Sequence, residues 1–351
     1  MQTTVSTIAT WLYAECEGEE SVYPQVGGRS SSTWFQAVYW RCVATFFATA
    51  SRTTPAANLK LYSNVEAVPD IDGDDVGALL ASLGVEVVAR PFTFIPPAGY
   101  YGSWRNQFYV LDLLEAFAES LSDLEVGVLL DSDCVWTRPG AALVEATRHH
   151  GALTLDVGLG PDEWQNGLTR REMGAIYADL DGAALEARPE QRRRAVPPYL
   201  GGEILAATGQ TARRMASTAR DVWHAQLGRH AAGLPKFNEE AHLLSYVYHR
   251  LGVEAGTANP FIDRIYTSLK DGKTVAPRHL DLMLWHLPNE KRYGLRRLFP
   301  AVMDRASWFW TTPPDERWRR RMGRVLGVPR RTPTKATLDV GAAVRDKLAR
   351  R

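Results

Sequence analysis

The chain has 351 residues, 45% of them hydrophobic and 23% charged, which supplies a core for one large domain or two small ones and excludes a disordered chain. Its formal net charge of +1 hides an asymmetry: 12 of the 41 Lys and Arg but only 2 of the 40 acids fall between Arg317 and Arg351, leaving a body with 29 basic and 38 acidic residues. An acidic body excludes a nucleic-acid-binding core, and the basic tail points toward an anionic partner.

The three cysteines, Cys16, Cys42 and Cys134, have neither zinc nor disulfide spacing. The first residues carry no basic segment ahead of an apolar one, and no apolar run reaches membrane-spanning length, so a cytoplasmic protein is expected. A first strand is expected over Ile8–Ala14. TWFQAVYWRCVATFF then reads as a helix, with Phe35, Val38, Tyr39, Cys42 and Phe46 on one face and Thr33 with Gln36 as a capping box. NLKLYSNVE alternates as a strand, VGALLASLG is a short helix ending at Gly84, and VEVVARP is a strand. WRNQFYVLDLLEAFAES is a helix, VGVLLDSD a strand buried on both faces, PGAALVEATRHHG a helix and ALTLDVG a strand. This alternation predicts an α/β fold with a doubly wound, mostly parallel sheet flanked by helices. Residues 158–198, with the basic run QRRRAVPP, read as a polar surface excursion. GGEILAAT follows as a strand and ARRMASTARDVWHAQL as a helix. FNEEAHLLSYVYHRLG is a helix capped by Asn238, and HLDLMLWHLP is a strand running into His286.

In such sheets ligands sit beyond the carboxyl ends of the strands. The run Val126–Leu130 delivers Asp131 and Asp133 to that place. Two carboxylates one residue apart can both approach one divalent cation if the chain bends, and oxygen ligands select Mn²⁺ or Mg²⁺. Of the other Asp-x-Asp triplets, DIDGDD at 70–75 lacks the glutamate a calcium loop needs, having Ala81 there, and reads as the cap of the helix after it.

VGVLLDSDCVW resembles the DxD motif of GT-A-fold glycosyltransferases, family 8 and related bacterial sugar transferases above all. The order of elements from about residue 8 to 295 is similar too: the helix WRNQFYVLDLLEAF before the DxD strand, YLGGEILAAT, the acidic helix start FNEEAHLLS, and LMLWHLP ending in a histidine. The resemblance implies transfer of a sugar from a UDP- or GDP-sugar to the hydroxyl of a glycan, a lipid-linked molecule or a small acceptor. It implies Asp131, Asp133 and His286 as ligands of Mn²⁺ or Mg²⁺, with Asp131 also reaching the nucleotide and Lys291 or Arg292 touching the diphosphate. Gly201, Gly202 and Glu203 would shape the sugar or acceptor side.

Glu239 and Glu240 at a helix start either complement the helix dipole or, nearer an acceptor hydroxyl, supply a general base; retaining or inverting stereochemistry stays open. His286 taken alone also fits a core histidine. Arg105 reads as a donor contact or a solvated helix-end charge, Tyr101 and Trp104 as sugar-pocket or packing residues, and Tyr13 as a stacking partner for a base. Two other readings compete. DSDCV also matches the nucleophile motif of haloacid-dehalogenase-like phosphatases, with Asp131 attacking, although no Gly-Asp or Asp-Asp follows residue 133. A non-catalytic nucleotide-sugar-binding protein is the third. Residues 1–295 are taken as the transferase domain and 296–351 as a basic Arg- and Pro-rich extension. Its WFW and arginine run suit peripheral contact with an anionic membrane or a solvated tail, and no nucleic-acid motif accompanies them.

Overall fold

The computed structural model describes residues 6–182, 196–268 and 274–349, so the QRRR part of the basic run lies outside the described residues. The first half runs β1 (Thr7–Leu12), α1 (Thr33–Thr53), β2 (Asn58–Ser63), α2 (Val76–Ser82), β3 (Val85–Ala89), α3 (Tyr109–Ser120), β4 (Val126–Leu130), β5 (Cys134–Trp136), α4 (Ala141–His150) and β6 (Ala152–Asp156). The second half runs β7 (Trp164–Gln165), β8 (Leu168–Thr169), α5 (Arg170–Asp181), β9 (Leu200–Thr208), α6 (Gly209–Ala231), α7 (Glu240–Leu251), β10 (Ile262–Arg264), β11 (Leu284–His286), α8 (Gly294–Met303), α9 (Trp308–Thr311), α10 (Glu316–Leu326) and α11 (Pro333–Ala349).

Among the described residues the central sheet has six strands in the order β3-β2-β1-β4-β9-β6. β3, β2, β1 and β4 are joined by parallel pairings. β9 pairs antiparallel with both β4 and β6, so five strands run one way and the sheet is mixed. The apolar runs are near-continuous because both faces are covered. In β4, Val126, Val128 and Leu130 enter the core beneath α1 and α4, while Leu129 joins the opposite core built by α3, α6 and α7. β10, β11 and β5 form a second, three-stranded sheet at the carboxyl end of β4.

Local chemistry moves three expected boundaries. The cap of α1 is Ser32, whose hydroxyl accepts from Phe35 N, while Gln36 donates instead to the carbonyl of Glu15 at 3.0 Å. Asn238 does not cap α7: Glu239 holds the cap position, and Asn238 Nδ2 donates to Asn166 O at 3.0 Å. HLDLMLWHLP is a strand only over Leu284–His286, because Pro277–Asp281 closes into a 3₁₀ turn. Asp75 caps α2 through Ala78 N at 2.7 Å, as the acidic cluster implied.

Residues beyond 296 contribute to the main core, where Leu298, Phe299, Phe309, Trp318, Met322 and Leu326 pack with Trp136 and Trp285. The Arg52 guanidinium lies over the rings of Phe309, Trp310 and Trp318. The arginines of α10 divide accordingly: Trp318 and Met322 face inward, and Arg317, Arg320, Arg321 and Arg324 stay exposed. Among the described residues no helix is long and apolar enough to cross a membrane.

Candidate active site

The chain turns sharply after β4, and three backbone hydrogen bonds fix the turn. Cys134 N donates to Asp131 O (3.0 Å), Asp131 N to Glu203 O on β9 (3.1 Å), and Leu287 N to Asp133 O (3.2 Å). β5 then pairs antiparallel with β11, setting His286 opposite Cys134. This register brings His286 to the two aspartates although 153 positions separate it from Asp133. One ligand atom from each of Asp131, Asp133 and His286 lies within 4.8 Å of the others. His286 Nε2 stands 3.3 Å from Asp133 Oδ2 and 3.7 Å from Asp131 Oδ2, and its Nδ1 is 3.2 Å from Glu203 Oε1.

The electrostatics follow from burial. Burial and the neighbouring Asp133 push the Asp131 carboxyl up to about 6. Burial would raise Asp133 as well, but Lys291 and His286 outweigh it and hold Asp133 well below the usual carboxylate range. For His286 burial opposes the charge, while Asp133 and Glu203 overcome it and lift the imidazole to about 9. Lys291 Nζ donates to Asp133 Oδ2. The other oxygen of Asp133, Oδ1, is buried and accepts no hydrogen bond among the described residues. A buried carboxylate oxygen without a donor is costly. Asp131, Asp133 and His286, two carboxylates and an imidazole with ligand atoms within 4.8 Å of one another, form a donor set that suits a hard divalent cation.

These groups lie in a cavity of about 340 Å³. Trp11, Tyr13, Tyr23, Phe35, Tyr39 and Trp104 line its apolar wall, and Glu239 and Glu240 face into it from the start of α7. Glu239 accepts from Tyr199 Oη at 2.9 Å and from Asn166 Nδ2, with His242 Nε2 at 3.5 Å. Gln107, with its amide nitrogen turned toward Glu240, donates to both carboxyl oxygens at 3.0 and 2.9 Å. Burial first, then Glu239 and Asp131, push the Glu240 carboxyl well above the usual range. Glu15, buried at the base of the wall, accepts from Ser21 N (2.7 Å), Tyr23 Oη (2.9 Å), Ser30 Oγ and Asn106 Nδ2, and so holds the loop that carries Tyr23.

Asp131, Asp133, His286, Lys291, Glu203, Gly202, Glu239, Glu240, Tyr13 and Trp104 therefore share one cavity. The hydroxyl of Tyr13 is raised to about 12 by burial and by nearby Glu19, and its ring packs edge-on against Phe92. Four expected residues lie off the cavity. Arg105 Nε donates to Pro96 O at 3.3 Å, because the 3₁₀ turn Arg105–Phe108 aims it away. Arg292 donates to Val26 O at 3.2 Å and lies over Trp34, since the turn through Pro288–Glu290 brings Lys291 inward instead. Gly201 sits behind Glu203. Tyr101 packs beside Gly167 at the hairpin turn.

Arg264, Tyr199, Asn166 and Gln107 also line the cavity, and Glu15 holds the loop of Tyr23 beside it, without having been singled out in the sequence. Asn166 alone had a signal: Asn166-Gly167 is the hairpin dipeptide, and both take positive φ between β7 and β8.

No family model matches the chain, and no curated protein matches it. Among solved structures it is similar to mouse xyloside xylosyltransferase 1 in its apo form, with a TM-score of 0.48 and 10% identity over 80% of this chain and 97% of that one. A likeness of that depth assigns this chain to no family.

Proposed function

We propose that the chain is a GT-A-like glycosyltransferase that moves a sugar from a nucleoside diphosphate sugar to an acceptor hydroxyl. One observation carries this reading. Asp131, Asp133 and His286 converge at the carboxyl end of β4, in the same cavity as the buried pair Glu239 and Glu240. Asp131, Asp133 and His286 would hold Mn²⁺ or Mg²⁺, for which the orphaned Asp133 Oδ1 leaves a coordination position. A cation held there would neutralise charge on the departing diphosphate. Lys291, beside Asp133, adds a fixed positive charge on the same side. The aromatic wall through Trp11, Tyr13 and Tyr39 offers a flat apolar surface for a nucleobase. Glu239, fixed by Tyr199 and Asn166, would take the acceptor proton on a carboxylate oxygen, while Glu240 holds its own proton and donates to a sugar hydroxyl.

The test is a thermal-shift panel of UDP- and GDP-sugars with and without Mn²⁺. Donor stabilisation that requires Mn²⁺ and disappears in Asp133→Ala supports the reading. No donor response together with hydrolysis of a generic aryl phosphate overturns it in favour of phosphatase chemistry at Asp131.

A further inference from the structure

Glu203 is a buried carboxylate whose side-chain hydrogen bonds, among the described residues, run to Arg264 and His286. Arg264 Nε donates to its Oε1 (2.7 Å) and Arg264 Nη2 to its Oε2 (2.6 Å), a two-pronged pair that keeps the carboxylate ionised. An ionised carboxylate can only accept, so the 3.2 Å contact from His286 Nδ1 to Glu203 Oε1 must be an N–H donating. When a cation displaces the second proton of the imidazolium, the proton retained on Nδ1 leaves Nε2 as the free nitrogen, and Nε2 is the atom that faces Asp131 and Asp133.

Three further features converge on this arrangement. β10 and β11 pair in parallel with Arg264 opposite His286, so both side chains reach Glu203 from one edge. The backbone oxygen of Glu203 accepts from Asp131 N, so a single residue of β9 indexes two members of the cluster. Gly201, two positions before Glu203 on the same strand, has no side chain where the carboxylate lies: a Cβ there would come within 2.8 Å of Glu203 Cδ.

We propose that Glu203 and Arg264 are positioning residues that fix the tautomer and orientation of His286 for a divalent cation, not contacts to sugar or acceptor. The inference rests on reading Asp131, Asp133 and His286 as the cation's ligands. Carboxylate partners of this kind are worth about 10- to 100-fold in metal affinity.

Calorimetric titration of the full chain with Mn²⁺ tests it, using wild type, Glu203→Gln, His286→Gln and the double variant, each checked for an unchanged metal-free melting transition. Glu203→Gln is expected to weaken Mn²⁺ binding about 10- to 100-fold, and the double variant to bind no more weakly than His286→Gln alone. Additive losses in the double variant, or unchanged affinity in Glu203→Gln, overturn the positioning role and leave the metal-site reading standing. Absence of Mn²⁺ binding by the wild type overturns both. Should Glu203→Gln not fold, imidazole ¹⁵N shifts of the wild type loaded with diamagnetic Mg²⁺ decide, with His286 assigned by its loss in His286→Gln: a protonated Nδ1 supports the proposal, and a protonated Nε2 overturns it.

Discussion

Two adjacent glutamates on one helix start meet opposite environments. Glu239 receives hydrogen bonds from Tyr199 and Asn166, whereas Glu240 is buried with Gln107 as its partner and two carboxylates near it. The consequence for stability has a definite sign. A carboxyl whose value is raised on folding supports the fold fully below its unfolded value, near 4.3, and loses that support as pH climbs through the folded value. Glu240→Gln removes the charge the fold disfavours. The variant should therefore unfold at higher urea than the wild type at pH 8. The gap should close toward pH 4.5. Equal pH slopes for the two proteins would show that Glu240 ionises freely in the folded state. Gly202 belongs to the same local design, because a Cβ there would stand 2.5 Å from Glu240 Oε1 and 3.3 Å from Ala241 Cβ.

At the level of elements, α3 approaches β4 closely because β4 carries Gly127. A Cβ at this position would meet the Phe117 ring at 2.6 Å and Leu121 Cδ1 at 2.7 Å, and Phe117 is itself pinned against Tyr62. Overpacking a fixed ring of this kind costs about 1–3 kcal/mol, so Gly127→Ala should lower the unfolding free energy by that amount, read as a lower urea midpoint with the m-value unchanged. A neutral result would mean that α3 slides freely on the sheet. The elements that were legible in the sequence share this regularity. β2 alternates, β4 is a near-continuous apolar run, and the long helices carry helical periodicity over windows long enough to read. Asp131 and Asp133 were legible because a local pattern, an apolar strand ending in acids, defines them. β10 and β11 are three residues each, below any periodic window, and Arg264 gains its role only from the register that sets it opposite His286. Tyr199 and Gln107 act through partners far away in sequence, which no spacing announces. The antiparallel course of β9 was equally silent, since strand direction is decided by the connections and not by the strand's own residues.

Over the whole molecule, the segment that carries the cluster's histidine and lysine is held from the far end of the chain. Glu290, in the turn between His286 and Lys291, is buried and accepts from Lys335 Nζ at 2.8 Å on both oxygens, from Gly294 N at 2.8 Å and from Thr267 Oγ1. Lys335 lies on α11 and also donates to Asp339 Oδ2 at 2.9 Å, and Asp339 in turn pairs with Arg297 at 2.7 Å and Arg331 at 2.8 Å. The C-terminal helix is thereby ion-paired to the turn beneath the site. Removing one partner of a buried pair strands the other, at about 3–5 kcal/mol. Asp339 keeps two arginines when Lys335 is lost, but Glu290 keeps no cation among the described residues, so Lys335→Met should destabilise by about 3 kcal/mol in urea unfolding. Glu290→Gln added to Lys335→Met should recover a large part of that loss, because a neutral amide no longer needs a counter-charge and can still accept from Thr267 and Gly294. If the double variant is as unstable as the sum of the singles, the loss lies in packing around α11 and not in the stranded carboxylate. Recovery of stability without recovery of Mn²⁺ affinity would further show that the ion pair sets the position of the His286–Lys291 turn as well as its stability.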